Sequence, residues 1–248
     1  MLSILLLSGA GFLAGALNAI AGGGTFITFP ALVYLGVPPI AANATATVSA
    51  LPGYLSGAFA FREDVAPEGA LKLTEIVAVA VVGSAAGALL LLVTPSQLFR
   101  DLVPWLLVVA TLLFALGPRL LSWLQGRGLA AGRKVSVAAV LAVSVYGGYF
   151  NGGLGILLLA TLGLIGFINL NGMNGLKNLL SAALSLISAA TFALAGIVAW
   201  PQAAVMAVAA AIGGYCGAWA ARRIRRAELV RALITAVGAT MAVAFFAT

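Results

Sequence analysis

Charge is the scarcest property of this 248-residue chain: Asp, Glu, Lys and Arg together make up 8% of it, histidine is absent, and cysteine occurs once. An ordinary soluble domain carries roughly 25% charged residues. A chain that is 63% hydrophobic has too few polar groups left to cover a water-facing surface, so a soluble globular fold is excluded. Without histidine and with one thiol there is no zinc or haem ligand set and no disulfide framework, and no cofactor or metal is expected. Cys216 lies in an apolar stretch and reads as filler between packed helices.

What the chain does have is long apolar text. Residues 1–61, 135–176 and 178–221 contain no charge at all, whereas about 20 apolar residues already cross a bilayer core as a helix. Each stretch therefore holds more than one span. A transmembrane β-barrel would show short segments of alternating polarity, and none occur. The 30 glycines and 9 prolines scattered through the apolar text point to closely packed helices with breaks in them. The N-terminal run has no basic residue ahead of it and reads as a retained first helix rather than a cleaved signal peptide.

The net charge of +7 invites a nucleic-acid reading, but position argues against it. Nine of the thirteen basic residues fall in two short segments: Arg119, Arg127, Arg133 and Lys134 in one, Arg222, Arg223, Arg225, Arg226 and Arg231 in the other. Basic clusters flanking apolar spans mark cytoplasmic loops. Trp105, Trp123, Trp200 and Trp219 fall near span ends, as interfacial anchors do.

Cutting at charges, prolines and glycine clusters gives ten apolar elements: 2–20, 25–36, 40–61, 71–93 and 102–121, then 135–150, 154–168, 174–194, 202–221 and 229–246. The two sets of five match in order and spacing. An offset of 131 residues lays Gly22 on Gly153, Gly24 on Gly155, Asn43 on Asn174 and Thr47 on Asn178. This is an internal repeat, a construction common among secondary transporters. The expected division is a first membrane repeat over 1–122, a basic cytoplasmic linker over 123–134 and a second repeat over 135–248. With 119–134 and 222–231 both cytoplasmic, single crossings put 94–101 and 195–201 outside and 62–75 inside. Equivalent loops then fall on opposite sides, which is an inverted repeat.

The second element of each half is short. Residues 25–36 give about 18 Å of helix, too little for a core of about 30 Å. Pro30 interrupts it, and a glycine cluster precedes each member of the pair: Gly22, Gly23 and Gly24 in one half, Gly152, Gly153 and Gly155 in the other. Short, Gly- or Pro-interrupted segments at corresponding places in two halves point to a transporter's binding site. A glycine run opening a helix presents backbone N–H groups at the positive end of the dipole; the competing reading is close helix packing.

Seven asparagines, Asn18, Asn43, Asn151, Asn169, Asn171, Asn174 and Asn178, lie in or beside spans, where an amide needs a partner or a wet cavity. Asn43 with Thr47, and Asn174 with Asn178, sit four apart on one helix face. Interhelical hydrogen bonding would explain them without a ligand, and Asn169 and Asn171 read as loop residues. Lys177 is the lone charge between Lys134 and Arg222, expected in the first turn of its helix. No acidic residue is near it in sequence, so a substrate anion is a fitting partner; snorkelling to the interface is the alternative. Ser181, four residues on, raises a Ser–Lys nucleophile pair, but no third orienting group accompanies it.

Gly11-Phe12-Leu13-Ala14-Gly15, Ala21-Gly22-Gly23-Gly24-Thr25 with Pro30-Ala31-Leu32, and Ala42-Asn43-Ala44-Thr45 resemble the N-terminal repeat of the TauE/SafE family of sulfite and organosulfonate exporters. Tyr146-Gly147-Gly148-Tyr149-Phe150, Gly153-Leu154-Gly155 and Gly175-Leu176-Lys177-Asn178 resemble its second repeat. Leu154 departs from the pattern, where many members carry another glycine. The resemblance covers nearly the whole chain and implies a multi-pass protein of the bacterial inner membrane that moves small sulfur-containing anions outward.

The expectation is therefore an all-α polytopic membrane protein of two inverted repeats, each with about three full spans, a further helix and a short broken or re-entrant helix. A small anion is expected to bind between the repeats, against Asn18, Gly22, Gly23, Gly24, Thr25, Asn43, Thr47, Asn151, Gly153, Gly155, Asn174, Lys177 and Asn178. Its partners are that anion and the lipid bilayer, not nucleic acid, and the chain is a monomer or a homodimer. A passive anion channel and an uptake permease are the alternatives. An intramembrane enzyme is disfavoured by the lack of histidine and of mid-span carboxylates.

Overall fold

The computed structural model describes residues 1–20, 22–66, 68–69, 71–126, 131–221 and 227–246. Over these it is all helix: α1 (Leu2–Ile20), α2 (Thr25–Tyr34), α3 (Pro39–Ala60), α4 (Leu73–Val93), α5 (Ser96–Gly126), α6 (Arg133–Tyr149), α7 (Leu154–Leu164), α8 (Leu170–Leu194), α9 (Trp200–Ala221) and α10 (Ala227–Phe246). The helices α1, α4, α8 and α9 are each long and apolar enough to cross a membrane. Large apolar side chains such as Leu5, Val82, Leu89, Val93, Val208 and Val243 stand exposed on the outside of the bundle, where hydrocarbon suits them.

Local chemistry sets the breaks. Gly22 takes the left-handed conformation at φ 81° and its N–H bonds back to Leu17 O at 2.9 Å, ending α1. Gly153, its counterpart at offset 131, is left-handed as well, at φ 73°. The two short helices end alike. Val37 N–H reaches Leu32 O after Gly36 (φ 84°), and Phe167 N–H reaches Leu162 O after Gly166 (φ 103°). With ten and eleven residues, α2 and α7 extend about 15–16 Å, so neither crosses the core alone.

Most of the helix packing recurs when the halves are exchanged. α1 lies on α9 as α6 lies on α4; α3 lies on α9 as α8 lies on α4; α5 covers α7 as α10 covers α2; and α3 pairs with α8, α5 with α10. In the two pairs of equivalent helices that touch, α3 with α8 and α5 with α10, the helices run antiparallel. Along α3 and α8, Phe61 meets Gly175, Gly57 meets Asn178, and Ala50 and Tyr54 meet Ala182. Along α5 and α10, Trp105 meets Phe246 and Thr111 meets Gly238. Glycines four apart allow the tight contacts: Gly11 and Gly15 of α1 face Met206 and Ala210 of α9, and Gly213 and Gly217 of α9 face Phe12 and Ala16 in return. Gly83 and Gly87 of α4 do the same against Ser144, Val145 and Tyr149 of α6.

The two ends of the bundle differ. At one end a cavity of about 690 Å³ opens between the α2–α3 turn (Gly36, Pro38), the end of α4 (Leu91, Thr94) and the α8–α9 turn (Gly196, Val198). At the other end the equivalent turn, after α7, is covered by the longer α3–α4 segment. There Glu68 Oε2 accepts Ile168 N–H at 3.0 Å and Asn169 N–H at 3.4 Å, Gly69 sits on Ile165 O, and Asp64 O lies against Gly172.

Several expectations need correcting. The element expected at 174–194 begins at Leu170, because Asn169 caps it by accepting the Asn171 and Gly172 N–H groups; Lys177 thus sits two turns in. The short elements stop at Tyr34 and Leu164, earlier than expected, where the left-handed glycines follow. α5 runs from Ser96 to Gly126 and α6 starts at Arg133, both longer toward the 123–134 segment than the expected elements 102–121 and 135–150. Cys216 is exposed rather than packed: Gly213, Gly214 and Gly217 form the packed face of α9, while Tyr215, Cys216 and Trp219 point away from it. Arg127, Arg222, Arg223, Arg225 and Arg226 of the orientation argument lie outside the described residues.

Candidate functional site

The two glycine clusters meet at the centre of the bundle. A Cβ on Gly22 would stand 2.5 Å from Gly155 Cα, and one on Gly155 would stand 2.5 Å from Gly22 Cα. Only glycine permits that approach, so at this pair the clusters bring the starts of α2 and α7 together by packing. Gly24, which precedes α2, donates its N–H to Asn18 Oδ1 at 2.7 Å, fixing the amide of Asn18 beside the end of α1. Thr25 Oγ1 donates to Asn151 O at 3.3 Å, tying the first junction to the second.

Lys177 reaches this junction from α8. It is fully buried, at 0% exposure, so the snorkelling alternative does not hold. Its stem passes Gly155, where a Cβ would lie 3.3 Å from Lys177 Cδ. The ammonium then donates to Asn18 O at 3.0 Å, Ala19 O at 3.4 Å and Asn174 Oδ1 at 3.2 Å. Asn18 and Ala19 carry the last carbonyls of α1, the negative end of its dipole, which have no partner within the helix. All three ammonium hydrogens are thereby taken by neutral oxygens. Among the described residues the ion pairs are Arg62–Glu63 and Arg133–Glu75, both at the periphery, and Lys177 has no carboxylate partner. A buried charge without a counter-charge is costly unless something completes it.

Asn151 is the hub of a second polar group. Its Oδ1 accepts from Tyr54 Oη at 3.2 Å, its Nδ2 donates to Ser185 Oγ at 3.4 Å, and its backbone oxygen holds Thr25. Asn43 Nδ2 donates to Tyr149 O at 2.9 Å at the end of α6, and Thr47 Oγ1 bonds back to Asn43 O at 2.9 Å within α3. Gly23 is buried. Gly153 lies against Ala110 of α5. Asn178 is fully buried on α8 with neither amide atom hydrogen-bonded, facing Gly57. Ser181 Oγ is likewise buried and unpartnered, and Lys177 Nζ is committed elsewhere, so no Ser–Lys pair is assembled.

The structure thus joins Asn18, Gly22, Gly24, Thr25, Asn151, Gly155 and Lys177 into one contiguous buried set, with the half-buried Asn174 at its edge. Asn43 and Thr47 stand apart at the end of α6. Tyr54 and Ser185 belong to the hub and were not anticipated from sequence. Ser185 was legible as part of the polar spacing Asn174, Lys177, Asn178, Ser181, Ser185, Ser188; Tyr54 gave no signal.

An all-helical membrane protein with several apolar spans, in which two short helices start beside a buried lysine, has the build of a membrane transporter. The chain belongs to the sulfite exporter TauE/SafE family, whose model matches residues 7–245. It is 33% identical over 233 residues to "Probable membrane transporter protein YfcA" of Escherichia coli K12, covering 92% of this chain and 84% of the relative. It is 31% identical over 215 residues to a "Probable membrane transporter protein" of Haemophilus influenzae, covering 84% and 81%.

Proposed function

We propose that this transporter exports a small anion, sulfite or an organosulfonate, across the inner membrane of a bacterium, and that the anion binds beside Lys177 between two inverted repeats. The observation that carries the reading is the Lys177 ammonium: wholly buried, held by three neutral oxygens and unmatched by any carboxylate among the described residues. An anion entering this region supplies the missing charge, and in surroundings less polar than water the attraction is several times stronger than at a surface. The antiparallel registers of α3 with α8 and of α5 with α10 support the inverted arrangement, because a two-fold axis in the membrane plane reverses equivalent helices. The inside-negative membrane potential favours the outward direction, by about 2.3 kcal/mol per charge per 100 mV.

Titration of the detergent-purified chain with sulfite, sulfoacetate, thiosulfate, sulfate and simple carboxylates tests the reading. Sulfite or a sulfonate binding to the natural protein and not to Lys177→Met supports it. Equal binding by both proteins refutes the assigned site, and carboxylates binding in preference to every sulfur oxyanion refutes the assigned substrate.

A further inference from the structure

Along α8 the side that carries Lys177 holds six polar residues, Asn174, Lys177, Asn178, Ser181, Ser185 and Ser188, separated by three or four residues except for the adjacent pair Lys177 and Asn178. At 100° per residue all six fall within an arc of about 100°, with Lys177 at one edge and Asn178 at the other. Both ends of the stripe are tied down. Asn174 and Lys177 are held at the end of α1, Ser185 accepts from Asn151, and Ser188 pairs with Ser84 at 2.9 Å. The two residues between them are not. Asn178 and Ser181 are each at 0% exposure, and neither the amide nitrogen nor the amide oxygen of Asn178, nor Ser181 Oγ, has a hydrogen-bond partner. Because both amide atoms are unpartnered, the finding does not depend on which way the amide is turned. Opposite lies Gly57, where a Cβ would stand 3.0 Å from Asn178 Nδ2, so a larger residue on α3 would press on the amide. Burying an amide without partners is costly, and that cost is hard to account for in a residue whose only task is packing.

Resting on the anion-transport reading above, we propose that Asn178 and Ser181 are direct contacts of the transported anion and select a monoanion that carries one hydroxyl donor. Two independent counts lead there. The first is charge: Lys177 contributes one positive charge and no carboxylate opposes it, so a single negative charge neutralises the site while a dianion leaves one in excess. The second is hydrogen bonding: Asn178 Nδ2 and Ser181 Oγ donate to ligand oxygens, but Asn178 Oδ1 only accepts. A fully deprotonated oxyanion sets a negative oxygen against that carbonyl, whereas one O–H group satisfies it. Lys177 acts through its field, its three hydrogens being already committed.

Hydroxymethanesulfonate and methanesulfonate test this on the full chain in detergent by calorimetric titration, since both are monoanions and only the first has a hydroxyl. The expected result is at least tenfold tighter binding of hydroxymethanesulfonate than of methanesulfonate or sulfate. Asn178→Leu and Ser181→Ala should erase the preference, with monodisperse protein and an unchanged or raised melting temperature. If methanesulfonate binds the natural protein as tightly as its hydroxylated partner, the proposal is overturned. It is also overturned if Asn178→Leu and Ser181→Ala leave every affinity unaltered, which would mean that the two residues hold only water; loss of binding in Lys177→Met would then leave the broader reading standing. Should Asn178→Leu not fold, Ser181→Ala and the ligand pair still decide it. A natural protein that binds none of the anions removes both readings together.

Discussion

Asn18 and Tyr149 stand 131 positions apart, at the ends of α1 and α6, and each gives its backbone carbonyl to the third helix of the opposite half. Tyr149 O accepts from Asn43 Nδ2 at 2.9 Å and Asn18 O from Lys177 Nζ at 3.0 Å. The same mechanical link is made twice, once by a neutral amide and once by a charged amine. At the position that the offset pairs with Lys177, the first half has Ala46. The two halves share a framework, and the charge belongs to only one of them.

Lys177→Met should keep a folded, extractable protein that no longer binds the anion. Leaving the Asn18 and Ala19 carbonyls without a donor costs about 1–3 kcal/mol for each group, offset in part because a charge is no longer buried. Lys177→Arg keeps the charge but must pass a wider head beside Gly155, and should retain part of the affinity. Melting curves measured alongside anion titrations check both substitutions.

Gly155→Ala should abolish transport and lower the melting temperature, because the added carbon meets Gly22 Cα at 2.5 Å and the Lys177 stem at 3.3 Å. Gly22→Ala should be at least as damaging, since it adds a left-handed backbone strain to the same clash. Gly36→Ala is the control, with the left-handed strain but no neighbouring atom within 4 Å. Efflux assays on the three variants at matched protein amounts separate packing at the junction from backbone strain alone.

The Glu68 carboxylate that fastens the α3–α4 segment over the start of α8 should act as a latch at that end. In a Cys216→Ser background, a cysteine at the fully buried Met173 reports access from that side. Adding Glu68→Ala should raise its alkylation rate severalfold in inside-out vesicles and leave it unchanged in right-side-out ones. An increase confined to right-side-out vesicles would reverse the orientation expected from the basic clusters.

Apolar run lengths, Pro30 and the paired glycine clusters made the ten helices legible, because bilayer thickness and backbone strain leave strong marks on sequence. The start of α8 was hidden: Asn169-Leu170-Asn171-Gly172 has the composition of a turn, and only the capping geometry shows that the helix begins there. The partners of Lys177 were hidden for another reason. Two of the three are backbone carbonyls, and a carbonyl left over at a helix end carries no side-chain signal. The outward turn of Cys216 follows from which face of α9 the glycines occupy, a matter of helical phase that apolar composition alone does not reveal.

No carboxylate stands in mid-span to relay protons: Glu63, Asp64, Glu68, Glu75, Asp101 and Glu228 fall at loops or near helix ends. We therefore infer that Lys177 is a fixed counter-charge and that export is a uniport driven by the membrane potential. Sulfite efflux from proteoliposomes under an imposed potassium–valinomycin potential, with no pH gradient, tests this most directly. Efflux is expected to rise with the potential, to reverse with its sign and to disappear in Lys177→Met. Efflux that ignores the potential and requires a pH gradient would contradict it, and would make Lys177 a group that loses and regains a proton in each cycle.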